Sequence, residues 1–140
     1  RLRGGAFQPE GATVMGDARK VLYHAATLAF TGFYLFSVYG YLTQHDFWAA
    51  EYARLGYPAY LVGIMSVVKP LGVLAVWVRR PVWLAQLAYA GFFYHLLLAA
   101  NAHLQLGEGA ALLALGLLAC VVASFLTQNA ARSPAFRPER

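Results

Sequence analysis

Among the polar side chains within otherwise apolar stretches of this chain, six could do chemistry together: Lys69, Gln86, Tyr89, His95, Asn101 and His103. Lysine and histidine can hold or release a proton. Phenol and amide groups can hold the oxygen of a ligand by hydrogen bonds. Lys69 lies about eleven residues into its stretch, or ~16 Å at 1.5 Å per residue, which is near the centre of a bilayer. An ammonium there costs about 3 kcal/mol, so the side chain must face other helices and find acceptors. Pro70 follows directly, freeing the carbonyl of Ser66 and bending the helix. A functional polar pocket and a helix–helix anchor both account for this arrangement. Around Lys69, the candidate ligand-binding residues are Tyr89, His95, Asn101 and His103. At about 100° per residue, Gln86, Tyr89 and Asn101 fall within an arc of about 120° that can line an interior. His95 points nearly opposite to Gln86 but matches Lys69 in depth.

Other chemistries fit poorly. Axial haem ligands must stand at one level on facing helices, whereas His24 is about 5 Å and His95 about 20 Å from the same edge. His45 and His103 share an end with Asp46, Glu51 and Glu108, yet no HxxxH or HExxH spacing joins them into a metal site. There is no GxSxG elbow, phosphate-binding glycine loop or catalytic carboxylate pair. No catalytic residue and no metal ligand is assigned. Cys120 is the single cysteine and sits among Leu, Ala and Val, as inert packing.

The elements that carry these residues are four apolar runs, Val21–Thr43, Pro58–Val78, Val82–Leu104 and Ala110–Thr127, with Lys69 the single formal charge among them. Each is of the order of the ~20 residues that a helix needs to cross a bilayer. Backbone groups find no partners in lipid, so each must be helical. Apolar residues make up 60% of the chain and charged ones 12%, too little polar surface to solvate a globule. The expected fold is all-α, an integral membrane four-helix bundle forming one domain over residues 19–127.

Net charge is +5, but its distribution argues against nucleic acid. Arg1, Arg3, Arg19 and Lys20 precede the first run, Arg79 and Arg80 separate the second from the third, and Arg132, Arg137 and Arg140 follow the fourth. The two other connections hold Asp46, Glu51 and Glu108 against Arg54. The positive-inside rule places both termini and the middle loop in the cytoplasm. Tyr39, Tyr41, Trp48, Tyr52, Tyr57 and Tyr60 would ring the outer interface, and Tyr23, Trp77 and Trp83 the inner one.

Residues 1–18 lack periodicity and are expected as a mobile cytoplasmic arm; they show no secretory signal, and Met15 is a candidate start. Asp46 is the expected N-cap of a short amphipathic helix on the outer surface, ended by Gly56 and Pro58. Arg79-Arg80-Pro81 and Gln105–Gly109 are tight turns that make successive helices antiparallel neighbours. Ala25/Ala29 and Ala119/Ala123 recur at the spacing that lets helices approach closely in lipid. The polar tail, residues 128–140, is expected to be disordered.

Residues 52–108 resemble the DoxX-like membrane proteins. The likeness lies in Tyr52-Ala53-Arg54-Leu55-Gly56-Tyr57-Pro58-Ala59-Tyr60-Leu61, in Lys69-x-Leu71-Gly72-Val73-Leu74-Ala75, in Ala88-Tyr89-Ala90-Gly91-Phe92 and in His103-x-x-x-Gly107-Glu108. The order and spacing of the four segments carry it. The resemblance implies a four-helix protein of the bacterial inner membrane, in a wider group linked to thiosulfate:quinone oxidoreduction and membrane oxidoreductase assemblies. It marks Lys69, Gly72, Tyr89, Gly91 and His103. The family commonly has glutamate where this chain has Gln86, and often serine where Ala102 stands. The missing carboxylate removes a candidate proton carrier and a natural partner for Lys69.

The resulting expectation is an accessory or ligand-binding subunit of a membrane redox complex, holding quinone or lipid near Lys69, Tyr89 and Asn101. Its partners would be membrane lipids and other membrane subunits, and any redox centre would be borrowed. A purely structural subunit and a small transporter are the alternatives.

Overall fold

Residues 10–137 are described by the computed structural model, and among them the secondary structure is wholly helical. The order is α1 (Glu10–Thr43), α2 (His45–Arg54), α3 (Leu61–Val78), α4 (Val82–Gln105) and α5 (Ala110–Ala131). All but α2 are long and apolar enough to cross a membrane. They close into a ring in which α1 packs on α3 and α5, and α4 packs on the same two helices. Phe30 and Tyr34 of α1, Val73 and Val76 of α3, Phe92 and Leu96 of α4, and Leu117 and Val121 of α5 fill the centre. Outside, Leu112, Leu126 and Phe36 are each more than 70% exposed. A water-soluble bundle would put charge there; this one presents grease to its surroundings.

α1 starts earlier than periodicity indicates. Residues 10–18, expected as part of a mobile arm, are helical. They lack an apolar stripe because they are exposed apart from half-buried Gly16. Local terms hold them instead: Glu10 in the first turn, Thr13 Oγ1 donating to the Glu10 carbonyl at 2.8 Å, and an Asp17–Lys20 pair at 3.8 Å. The rest of that arm, including Arg1 and Arg3, and residues 138–140 lie outside the described residues.

The short helix after the first span is present, but Asp46 does not cap it. The preceding residue is Gln44, whose N–H still bonds the Gly40 carbonyl at 2.8 Å, so α2 is nearly continuous with α1. Asp46 stands in the first turn, where a carboxylate complements the helix dipole. Gly56, at φ 86°, ends α2, with Gly56 N–H bonding the Ala53 carbonyl and Tyr57 N–H the Tyr52 carbonyl. The same paired closure ends α4 around Gly107, at φ 68°, where Glu108 N–H bonds the His103 carbonyl.

Two packing expectations change. Ala25, Ala29 and Ala119 are exposed, and the buried alanines are Ala26, Ala85, Ala100, Ala102, Ala111 and Ala114. Four-residue spacing defines a face but not which way it turns; Thr27, Phe30 and Tyr34 turn α1. The tail is also ordered near its start. α5 runs to Ala131, Asn129 bonds both the N–H and the carbonyl of Phe136, and the Phe136 ring lies 6.3 Å from that of Phe125. One aromatic residue in a polar tail has found an apolar seat.

Candidate functional site

Lys69 faces inward at mid-helix, as its charge requires, and is 5% exposed. Its Nζ donates to Ser37 Oγ at 2.9 Å and Tyr41 Oη at 2.6 Å. The ammonium also stands 4.3 Å from the Tyr41 ring centre and 5.2 Å from that of Tyr34. No carboxylate lies within bonding reach of it among the described residues. The acceptors come from the first span, whereas sequence reasoning looked to the third. Tyr34, Ser37 and Tyr41 recur at helical spacing on one face of α1, a legible signal. Reading Tyr41 as an interface residue concealed it, since Tyr41 is 5% exposed while Tyr39 is 65% exposed.

Two extensions lead away from this amine. Tyr41 Oη lies 2.9 Å from Tyr52 Oη on α2, and Tyr34 Oη lies 2.7 Å from His95 Nδ1 on α4. His95 therefore joins the Lys69 neighbourhood through Tyr34, in keeping with their common depth. Gly40 makes room for α2 here: a Cβ on it would stand 2.8 Å from Trp48 Nε1.

Tyr89 belongs to a different set. Its hydroxyl lies 2.7 Å from Ser124 Oγ, which lies 2.6 Å from Thr27 Oγ1, and Thr27 donates to the Tyr23 carbonyl at 2.6 Å. Phe30 and Phe92, with ring centres 5.4 Å apart, are buried in the core beside it. No hydrogen bond among the described residues links the Tyr89 set to Lys69.

Below Tyr89 the amides of Gln86 and Gln128 bond each other in both directions, at 2.9 and 3.2 Å. Gln128 also accepts from Arg79, a residue 1% exposed, whose guanidinium reaches Asn129 Oδ1 at 3.2 Å and the Pro134 carbonyl at 2.9 Å. Sequence reasoning treated Arg79 as a loop charge and missed this cluster; the polar run Gln128-Asn129 closing the fourth span was its signal. A carboxylate at position 86 would meet this amide and Arg79 cluster, not Lys69.

Asn101 and His103 converge with neither set. Asn101 is exposed, at the edge of the arc that faces inward at Tyr89. His103 Nδ1 lies 2.7 Å from Glu108 Oε2, because the Gly107 turn folds Glu108 back over the end of α4. Arg54 of α2 bonds Glu108 and donates to Glu51 at 2.7 Å, fastening α2 across the α4–α5 turn. Hydrogen bonds from Arg54 hold the Glu51 and Glu108 carboxyls below the usual carboxylate range, and the two carboxylates raise the Arg54 guanidinium. His45 stands apart, 3.6 Å from Asp46. His103, Glu108 and Glu51 are thus joined through Arg54 and through each other, and His45 and Asp46 form a separate pair.

Open volume lies elsewhere. A groove of about 420 Å³ runs between α4 and α5, walled by Phe93, Tyr94, Phe125 and Phe136, with Gln86 and Tyr89 along it. A wider furrow of about 540 Å³, apolar except for Thr127, lies between Leu22, Leu115 and Val122.

The profile described as the DoxX-like family matches residues 25–126, so the chain belongs to that family. The match takes in the first and fourth spans, beyond the segments that carried the resemblance. No curated protein and no solved structure matches the chain.

Proposed function

We propose that this member of the DoxX-like family is an accessory subunit of a membrane redox or energy-conversion assembly, holding a flat apolar ligand of the quinone class in the α4–α5 groove. The observation that carries this reading is the groove itself, at about 420 Å³ within the size range of small-molecule sites. Its aromatic walls suit a flat ring. Gln86 Nε2 has a second N–H beyond the one given to Gln128, available to a ligand carbonyl. Of the expected ligand residues, this assigns contact to Tyr89 and leaves Lys69, His95, Asn101 and His103 outside it. The bundle lies in the bacterial cytoplasmic membrane with both termini inside and α2 along the outer surface.

Titration with a soluble quinone analogue tests the proposal. Saturable binding should be lost when Ala90→Trp fills the groove and kept in Lys69→Met. Equal binding in parent and Ala90→Trp sinks it. A purely structural role is favoured by the apolar furrow, whose one polar lining side chain, Thr127, gives its hydroxyl to the Ala123 carbonyl of its own helix, and which suits a neighbouring helix. Native-membrane extraction in mild detergent would then show the chain migrating with larger partners, without bound quinone.

A further inference from the structure

We infer that Lys69 exchanges its proton with one face of the membrane only, the face bearing α2, through a relay formed by Tyr41 and Tyr52. The inference stands on the hydrogen-bonded geometry and does not depend on the ligand proposed above. Lys69 Nζ, Tyr41 Oη and Tyr52 Oη form an unbroken file with steps of 2.6 and 2.9 Å. Each hydroxyl can accept one proton as it gives another, so a charge crosses the file without leaving a phenolate behind. In uptake, the amine nitrogen takes the Tyr41 proton, Tyr41 takes that of Tyr52, and Tyr52 takes one from a hydronium ion, which leaves as water. Release reverses each transfer.

Burial falls along the file in the required direction, since Tyr41 is buried and Tyr52 is half-buried at the outer edge of the bundle. On the opposite side the path stops. The next inward residues of α3, Val73 and Val76, are buried against Phe30 and Phe92. The hydroxyl set of Thr27, Ser124 and Tyr89 lies beyond them without a hydrogen bond to Lys69 among the described residues. Tyr34 offers no second exit, because Lys69 meets its ring, 5.2 Å from the centre, and no hydrogen bond joins the amine to the Tyr34 hydroxyl among the described residues. The titratable groups around the amine are thus Tyr34 and Tyr41 of α1, Tyr52 of α2 and His95 of α4, with Tyr57 packed on Tyr52 and Glu51 and Arg54 of α2 near the mouth.

The chain has two lysines, Lys20 and Lys69, which gives a clean readout. In Lys20→Arg protein labelled at lysine Nζ with ¹⁵N, Lys69 supplies the sole amine signal. Sealed proteoliposomes of uniform orientation can then be titrated on one face at a time, between about pH 5 and about 10. The Lys69 shift should follow the pH on the α2 face and ignore the other. In nanodiscs, Tyr41→Phe and Tyr52→Phe should slow exchange of the amine protons with water roughly 100-fold, as loss of a positioned proton carrier does, and Tyr34→Phe should not. The inference is overturned by a shift that follows the opposite face or neither face. It is equally overturned by unchanged exchange in folded Tyr52→Phe protein.

Discussion

Lys69 and Tyr41 illustrate how unequal two members of one hydrogen bond can be. Replacing Lys69 by methionine removes the charge but orphans nothing: Tyr41 keeps Tyr52, and Ser37 can turn to a carbonyl of its own helix. Replacing Tyr41 by phenylalanine leaves a buried ammonium with Ser37 as its one hydrogen-bond acceptor. We expect Lys69→Met to change stability by no more than about 1 kcal/mol and Tyr41→Phe to cost about 1–3 kcal/mol. In the double variant most of that loss should return, which unfolding in mild detergent would measure. A Lys69→Met loss larger than that of Tyr41→Phe would contradict the assignment. At this scale the sequence was informative about which residue must turn inward and poor about what it would meet. Charge in an apolar run fixes burial; partner choice depends on how neighbouring helices are rotated, and tyrosine serves both core and interface.

Helix contacts make sharper use of two glycines that the family resemblance marks alike. A Cβ on Gly72 would stand 2.9 Å from Phe92 Cζ, in the packed α3–α4 contact, whereas a Cβ on Gly91 meets nothing within 4 Å. Gly72→Ala should therefore destabilise by about 1–3 kcal/mol, and Gly91→Ala should be neutral or stabilise by up to about 1 kcal/mol. Thermal unfolding of the two single variants separates them, and equal loss in both would show that the α3–α4 approach is wrong. The clasp on α2 carries a pH dependence. Glu51 and Glu108 are held below their ordinary carboxylate range chiefly by Arg54 hydrogen bonds. A depressed carboxyl contributes fully above its unfolded pKa and loses that contribution as pH falls through its folded one. Amide exchange in α2 should thus quicken as the medium is acidified below the usual carboxylate range, while α4 amides at mid-bundle stay protected. Unchanged α2 protection there would dismiss the clasp. The helices themselves were legible, because long apolar runs and Gly or Pro stops are local signals. The exposed start of α1 was not, since a helix that packs on nothing leaves no stripe.

For the molecule as a whole, lipid replaces water as the solvent of the outer surface, and polar groups retreat into three separate places. These are the amine set near α2, the hydroxyl and amide sets toward the Arg79 end, and the acid–arginine clasp. Pooling Lys69, Tyr89 and Asn101 into one site was natural from the sequence, where depth and helical angle are visible but the ring order of helices is not. Tags at the two ends should report from the same compartment, since four crossings return the chain to its starting side. The most direct test of the functional account is to map a photoreactive quinone analogue on the protein in native membranes. Competable labelling should fall on α4 between Gln86 and Tyr94 and on α5 between Val121 and Phe125. Competable labelling confined to α1 and α3 around Lys69, or none at all, would contradict it.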